Sequence, residues 1–355
     1  MLQKNISKYR TELMGISILW VYIFHSEIYF PDQAIFLLFK FIKGRGDGGV
    51  DIFIFLSGFG LMYGAKKDYI LLFYKRRIFK IFPAYAIAVL LSLIVDYTFS
   101  KKVRLSDFFL KISSLWFWTG KGLFLWYISA ILILYLLFPV YCKYYNNSRN
   151  KKIFSIYSIT AMYIMCIIAI LLKQNYYLIF LARVPVFILG IHIGYNTKNE
   201  IAKNKYLESF FFIFIALIFF IALQSLLILK IPLKIRQSLG LNYYSFIFIV
   251  YPMSVCMSQF ISYIASLENI ICRSLIKIIH FSGVHSLEIY LLHEYIVFPI
   301  GEKIISYFSN KFFILTVLNK GNFFEYFTFL IITISLAFLL RKITRIIQKL
   351  QHIHA

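Results

Sequence analysis

The stretch MGISILWVYIFHSE, residues 14–27, decides what kind of chain this is. Wound into a helix it is apolar on almost every side, which is the pattern of a helix surrounded by core or by lipid. It nevertheless carries His25 and, two residues later, Glu27. Runs of the same character recur along the whole chain, each near the roughly 20 residues that cross about 30 Å of hydrocarbon. Ten are read from the sequence, at about 12–30, 49–65, 78–97, 124–142, 153–172, 177–195, 207–229, 240–264, 286–307 and 323–341.

Composition supports a membrane reading. The 355 residues are 61% hydrophobic and only 15% charged, with a mean hydropathy of +0.76. Soluble chains are about half apolar and about a quarter charged. A soluble helical protein would also need a polar face on each helix, and most of these runs lack one. The expected fold class is therefore all-α, a polytopic transmembrane bundle of about ten helices. The transmembrane domain is expected over residues 1–345, leaving 346–355 as a basic tail and no room for a soluble domain of useful size. The opening MLQKNISKYR has no small-residue cleavage site after an apolar core, so a removed signal peptide is not expected.

An even number of spans puts both termini on one side of the membrane, and lysine and arginine choose the side. The N-terminus and alternate loops hold about 22 of the 38 basic residues, the opposite loops about 14. Both termini are therefore expected in the cytoplasm, in an inner (plasma) membrane. A formal charge of +23 is spread over short loops. It is not gathered on one face, so a nucleic-acid partner is not expected. Cys142, Cys166, Cys256 and Cys272 show no metal-ligand spacing, and no metal site follows from the sequence.

Ionisable residues inside spans are costly and are functional candidates by default. They are His25, Asp51, Asp96, Arg183, His192, Glu288 and His293. Asp96 and His192 lie near span ends, where headgroup contact accounts for them. His25 sits about 13 residues into its run, roughly 20 Å from the cytoplasmic end at about 1.5 Å per residue. A neutral imidazole at that depth is the form that accepts a proton.

Two further stretches carry candidate chemistry. GRGDGGVDIFIFLSGFG, residues 44–60, brings Asp51 into the second run behind a set of glycines. It has no phosphate-loop spacing, and the Ser57–Gly58 pair suits close helix packing. YKRRIFKIFPAY, residues 74–85, crowds Lys75, Arg76, Arg77 and Lys80 at the cytoplasmic end of the third run. That cluster reads either as ordinary positive-inside anchoring or as a clamp for ligand phosphates, which guanidinium groups bind bidentately.

With these motifs in order, the chain resembles the acyltransferase-3 family, integral-membrane enzymes that mostly move acetyl from acetyl-CoA to sugar hydroxyls. The resemblance runs nearly end to end through LMGISILWVYIFHS, GGVDIFIFLSGFG, FYKRRIFKIFPAY, LWYISAILILYLLFP, RVPVFILGIHIG and SLEIYLLHEYI. It implies that His25 is the catalytic histidine and Asp51 the acidic residue of the glycine-rich motif. Arg76, Arg77 and Lys80 would face the CoA phosphates, with lysine where arginine is more usual. Trp126 and Tyr127, Arg183, and Tyr290 with His293 match further family positions, expected on the substrate side together with Glu288. No tightly bound cofactor is implied, acetyl-CoA being the acyl donor and a glycan or lipid-linked sugar the acceptor.

The sequence departs from the family at Met14, where arginine usually stands eleven residues before the histidine. Eleven residues return to within about 20° of the same helix face. Arg10 lies about 60° off that line, one turn nearer the cytoplasm, and its long side chain could snorkel across the gap. Arg10 is the expected replacement, or else a headgroup anchor. In the simplest chemistry His25 takes the proton of the acceptor hydroxyl while Asp51 or Glu27 orients the imidazole. Alternatively His25 itself carries the acetyl group. A transporter or flippase would also bury titratable groups, but would show internal repeats with matching broken helices. No convincing repeat relates the halves. The oligomeric state is left open.

Overall fold

The structure is a computed structural model describing residues 2–30, 36–65, 70–201, 215, 218, 220, 223, 230–309 and 323–353. Among them every regular element is helical. The chain begins with α1 (Leu2–Lys8), α2 (Arg10–His25), α3 (Leu37–Gly44), α4 (Gly48–Tyr63), α5 (Ile70–Thr98) and α6 (Leu105–Ile112). It continues with α7 (Trp126–Asn147), α8 (Lys151–Leu171), α9 (Leu178–Leu181) and α10 (Val184–Lys198). Then come α11 (Leu233–Ser238), α12 (Leu241–Tyr244), α13 (Phe246–Ser266), α14 (Ile270–Val284) and α15 (Ser286–Leu292). A π-turn over His293–Val297 leads into α16 (Phe298–Ser309), and α17 (Phe323–Ile353) closes the described chain.

Six helical stretches among the described residues are long and apolar enough to cross a bilayer, and a seventh appears if α14 and the 286–307 segment form one bent span. Their outward faces are apolar, with Leu71, Leu91, Ile167, Leu171 and Phe327 all exposed. That is how a helix bundle presents itself to lipid, its backbone polar groups being satisfied within each helix. Of the ten runs read from sequence, the first two are helices of 16 residues, α2 and α4. The run at 207–229 lies almost entirely outside the described residues. Between the eighth and ninth runs the chain forms the helix α14, bent by 67° from the 286–307 segment. Its apolar stripe is interrupted by Arg273, Lys277 and His280, which hides it from a search for continuous hydrophobic runs. The basic tail continues α17 without a break as far as Ile353.

The helices group into two compact units, and α2, α4, α7 and α14 each contribute residues to both. The first unit comprises Met1–Met14, Val50–Asp68 and Ala130–Ile278. Here α10 packs on α8 and α13, and α1 packs on α13. The approach of α4 to α10 is set by glycines. A Cβ on Gly190 would stand 2.2 Å from the Phe55 carbonyl oxygen, and one on Gly58 would stand 2.3 Å from that of Phe187. Only glycine lets two helix backbones come this close, so the packing expected for Ser57–Gly58 is present at Gly58.

The second unit comprises Gly15–Gly49, Tyr69–Ser129 and Ile279–Ala355. In it α5, α15 and α17 pack on one another and enclose the π-turn. Helix α5 carries a buried Pro83 in its interior, and its far end is fastened to α6, where the buried Lys111 pairs with Asp96 at 2.8 Å. The Tyr85 hydroxyl donates to the Lys111 carbonyl in the same contact.

Candidate active site

His25 is the last residue of α2, within the second unit. A helix end leaves its side chain room to turn away from the preceding coil. Its ring meets that of His293, with Nδ1 of His25 2.9 Å from Nε2 of His293. Nδ1 of His293 lies 3.0 Å from both the Ile289 and Tyr290 carbonyl oxygens. A carbonyl only accepts, so His293 Nδ1 must carry a proton and donate it. A charged imidazolium is too costly in a fully buried position without a partner anion, so His293 is neutral and its Nε2 is an acceptor. His25 Nδ1 is consequently the donor across the 2.9 Å contact. The remaining nitrogen of His25, Nε2, holds a lone pair.

That lone pair is reachable. The side chain of His25 is 23% exposed and that of Glu294 34%, whereas His293 is fully buried. Around His293 stand the rings of Tyr22, Tyr290 and Phe298 at 6.0, 6.0 and 5.7 Å. Tyr22 is fixed in turn, its hydroxyl donating to the Tyr326 carbonyl at 2.8 Å. The imidazole pair therefore has one dry wall and one open one.

Glu294 brings its Oε2 to 3.8 Å from His25 Nε2. Two consecutive side chains, His293 and Glu294, approach one histidine because the chain there is a π-turn. The Phe298 N–H bonds to the His293 carbonyl five residues back, and this wider turn often occurs at functional sites. Sequence reasoning missed Glu294, although an ionisable residue next to His293 in the apolar YLLHEYI was signal enough.

The other expected site residues are distributed over both units. Tyr290 is buried and its hydroxyl accepts the Tyr127 N–H at 3.3 Å, with the two rings edge-on at 5.3 Å. Trp126 and Tyr127, half-buried at the start of α7, are thus tied to the helix that leads into His293. Glu288 is buried against α17, where Arg341 donates to its carboxylate at 3.4 Å and also to the Val284 carbonyl. Glu27 lies beyond the end of α2, exposed, and its charge acts on Lys43.

Asp51 and Arg183 belong to the first unit and form a fully buried ion pair, Arg183 Nε to Asp51 Oδ2 at 3.2 Å. Arg183 also donates to the Ile179 carbonyl at 3.0 Å and lies 4.5 Å over the Tyr243 ring. Arg10 is in the same unit, and its guanidinium rests on Gly60, where a Cβ would come within 2.5 Å of the guanidinium carbon. Arg76, Arg77 and Lys80 line the first turns of α5, Arg76 and Lys80 exposed and Arg77 half-buried over Phe73 at 5.6 Å.

Beside the end of α2 a cavity of about 350 Å³ is lined by Phe24, Ile28, Tyr29, Phe30, Lys40, Lys43 and Gly44. It adjoins the histidine pair through Phe24, whose ring stands edge-on to His25 at 5.1 Å.

Fold and site together define a multi-pass, all-helical membrane protein with a histidine-centred polar site in an apolar bundle. The chain matches the model of the acyltransferase-3 domain over residues 13–342, nearly its whole length, and belongs to that family of acyltransferases. Neither the curated proteins nor the solved structures supply a match.

Proposed function

We propose that this protein transfers an acetyl group from cytoplasmic acetyl-CoA to a sugar hydroxyl of a cell-envelope or exported glycan, in the plasma membrane with both termini inside. The observation that carries the chemistry is the 2.9 Å contact of His25 Nδ1 with His293 Nε2, which on the tautomer argued above leaves His25 Nε2 as a base. His25 Nε2 takes the acceptor's proton as the hydroxyl oxygen attacks the thioester carbonyl. The tetrahedral adduct collapses, the C–S bond breaks, and the CoA thiolate recovers the proton. Glu294, 3.8 Å away, stabilises the imidazolium that forms between the two steps. Asp51, engaged with Arg183, holds the glycine-rich helix in place.

Arg76, Arg77 and Lys80 hold the CoA phosphates at the inner face, their position at the start of α5 suiting charge-assisted contact with a soluble ligand. The aromatic lining of the cavity beside His25 supports a sugar acceptor, since pockets combine apolar walls with a few polar groups that orient the ligand. Trp126 and Tyr127 serve the same acceptor side. Excluding water from this site protects the thioester from hydrolysis.

The test is to delete the gene, restore it as wild type or His25→Ala, and measure surface O-acetyl groups by NMR before and after mild alkali. Loss on deletion, return with wild type and no return with a normally abundant His25→Ala protein is the expected pattern. Return with His25→Ala would overturn it. The same Nε2 lone pair would bear the acetyl group in a nucleophilic route, and labelled acetyl-CoA without acceptor would trap that acetyl-histidine.

A further inference from the structure

Among the described residues, His25, His293 and Glu294 each present an atom able to ligate a metal, all within 4.8 Å of one another. We propose that this cluster binds a divalent transition-metal ion, Zn²⁺ by its donor set, and that the bound ion switches His25 off. The two histidines lie 268 positions apart along the chain, so no ligand spacing shows in the sequence.

The donor set and its geometry both suit zinc. Two imidazoles and a carboxylate form a three-ligand site of the open kind, with a fourth position left for water. Bonds of about 2.0–2.1 Å in a tetrahedron put neighbouring ligand atoms about 3.3 Å apart. The two histidine nitrogens stand 2.9 Å apart, and the ligand atoms of all three residues lie within 4.8 Å of one another. Small side-chain rotations at the partly exposed His25 and Glu294 close the difference. His293 is already arranged as a ligand, because its Nδ1–H is fixed by two backbone carbonyls and its Nε2 points at the cluster. Metal-bound histidines are oriented in this way by their outer nitrogen. Magnesium and calcium prefer sites built wholly of oxygen, so the cluster discriminates against them.

Binding has a chemical consequence. An ion shared by His25 Nδ1 and His293 Nε2 takes the place of the proton between them. That proton moves to His25 Nε2, on the edge of the ring turned away from the ion. No proton is lost overall, but His25 no longer has the lone pair that the proposed reaction needs. This inhibitory step rests on the proposed function, whereas the metal site rests on the three side chains alone.

The experiment uses the full-length protein in lipid nanodiscs, stripped with a chelator and titrated with Zn²⁺ or, as control, Mg²⁺. One Zn²⁺ per chain is expected, with no Mg²⁺ bound. Affinity should fall by at least about tenfold in Glu294→Gln and in His293→Ala, with an unchanged melting temperature in the isosteric Glu294→Gln confirming the fold. No stoichiometric zinc, or equal affinity in wild type and both variants, overturns the site. Zinc should also inhibit acetyl transfer by wild type at lower concentration than by Glu294→Gln. Zinc that binds with the expected variant pattern yet leaves transfer intact would uphold the site and overturn both the switch and the role of His25 Nε2.

Discussion

Removing His293 tests the histidine pair most directly. In His293→Ala the acceptor for His25 Nδ1–H disappears. The ring is then free to rotate and to carry its proton on either nitrogen. The magnitude comes from what the 2.9 Å contact does during the reaction. Once His25 has taken the acceptor's proton it is an imidazolium, and its hydrogen bond to neutral His293 becomes charge-assisted, worth about 1.5–3 kcal/mol. At about 1.4 kcal/mol per factor of ten, kcat should fall by roughly 10- to 150-fold. The apparent KM for acetyl-CoA should change little, because Arg76, Arg77 and Lys80, proposed to hold its phosphates, are untouched. His293→Gln places an amide oxygen near the lost Nε2 and should recover part of the rate. The assay is transfer of labelled acetyl from acetyl-CoA by purified protein in nanodiscs, with a melting curve for each variant. Full kcat in a folded His293→Ala protein would refute the tautomer assignment.

Arg76→Ala combined with Arg77→Ala should raise the apparent KM for acetyl-CoA about tenfold, the loss of one or two charge-assisted contacts. An equal rise in the KM for acceptor would reduce the cluster to topological anchoring. Gly190→Ala drives a methyl group to 2.2 Å from a backbone oxygen and should destabilise the first unit by about 1–3 kcal/mol. Unfolding in detergent that matches wild type would contradict the close α4–α10 packing. Asp51→Asn leaves the Arg183 charge buried without its anion and should cost about 3–5 kcal/mol, recovered at least in part by adding Arg183→Met. If Arg10 replaces the arginine missing at Met14, Arg10→Ala should cut activity and a further Met14→Arg should restore it. Untouched activity in Arg10→Ala leaves Arg10 an anchor.

The membrane fold was legible because apolar length alone dictates it, and the spans Ile70–Thr98, Trp126–Asn147, Lys151–Leu171, Asn175–Lys198, Leu241–Ser266 and Phe323–Lys349 all overlap the expected runs. Helix α14 was not, because charged residues interrupt its apolar stripe and only packing shows it to be helical. At the site, His25 and His293 stood out as ionisable groups in apolar surroundings. Their partnership did not, since hydrogen bonds between distant segments leave no periodicity to read. Asp51, read together with Glu27 as a candidate to orient His25, forms a buried ion pair with Arg183. Two buried charges of opposite sign satisfy each other, and sequence order does not say which will meet. Glu294 stood in the same apolar stretch as His293, but only the π-turn shows that it approaches His25.

That turn also bears on how the protein can change. A π-turn holds one residue more than an α-turn over the same rise. Deleting a single codon between His293 and Phe298 would let the stretch relax to a regular helix. Every side chain before the deletion would then be rotated by about 100° relative to those after it. His293 and Glu294 would no longer both face His25, while hydropathy and helix content would hardly alter. Such a deletion is a one-step route from an enzyme to an inactive membrane scaffold, and an alignment scored on apolar pattern would pass over the gap.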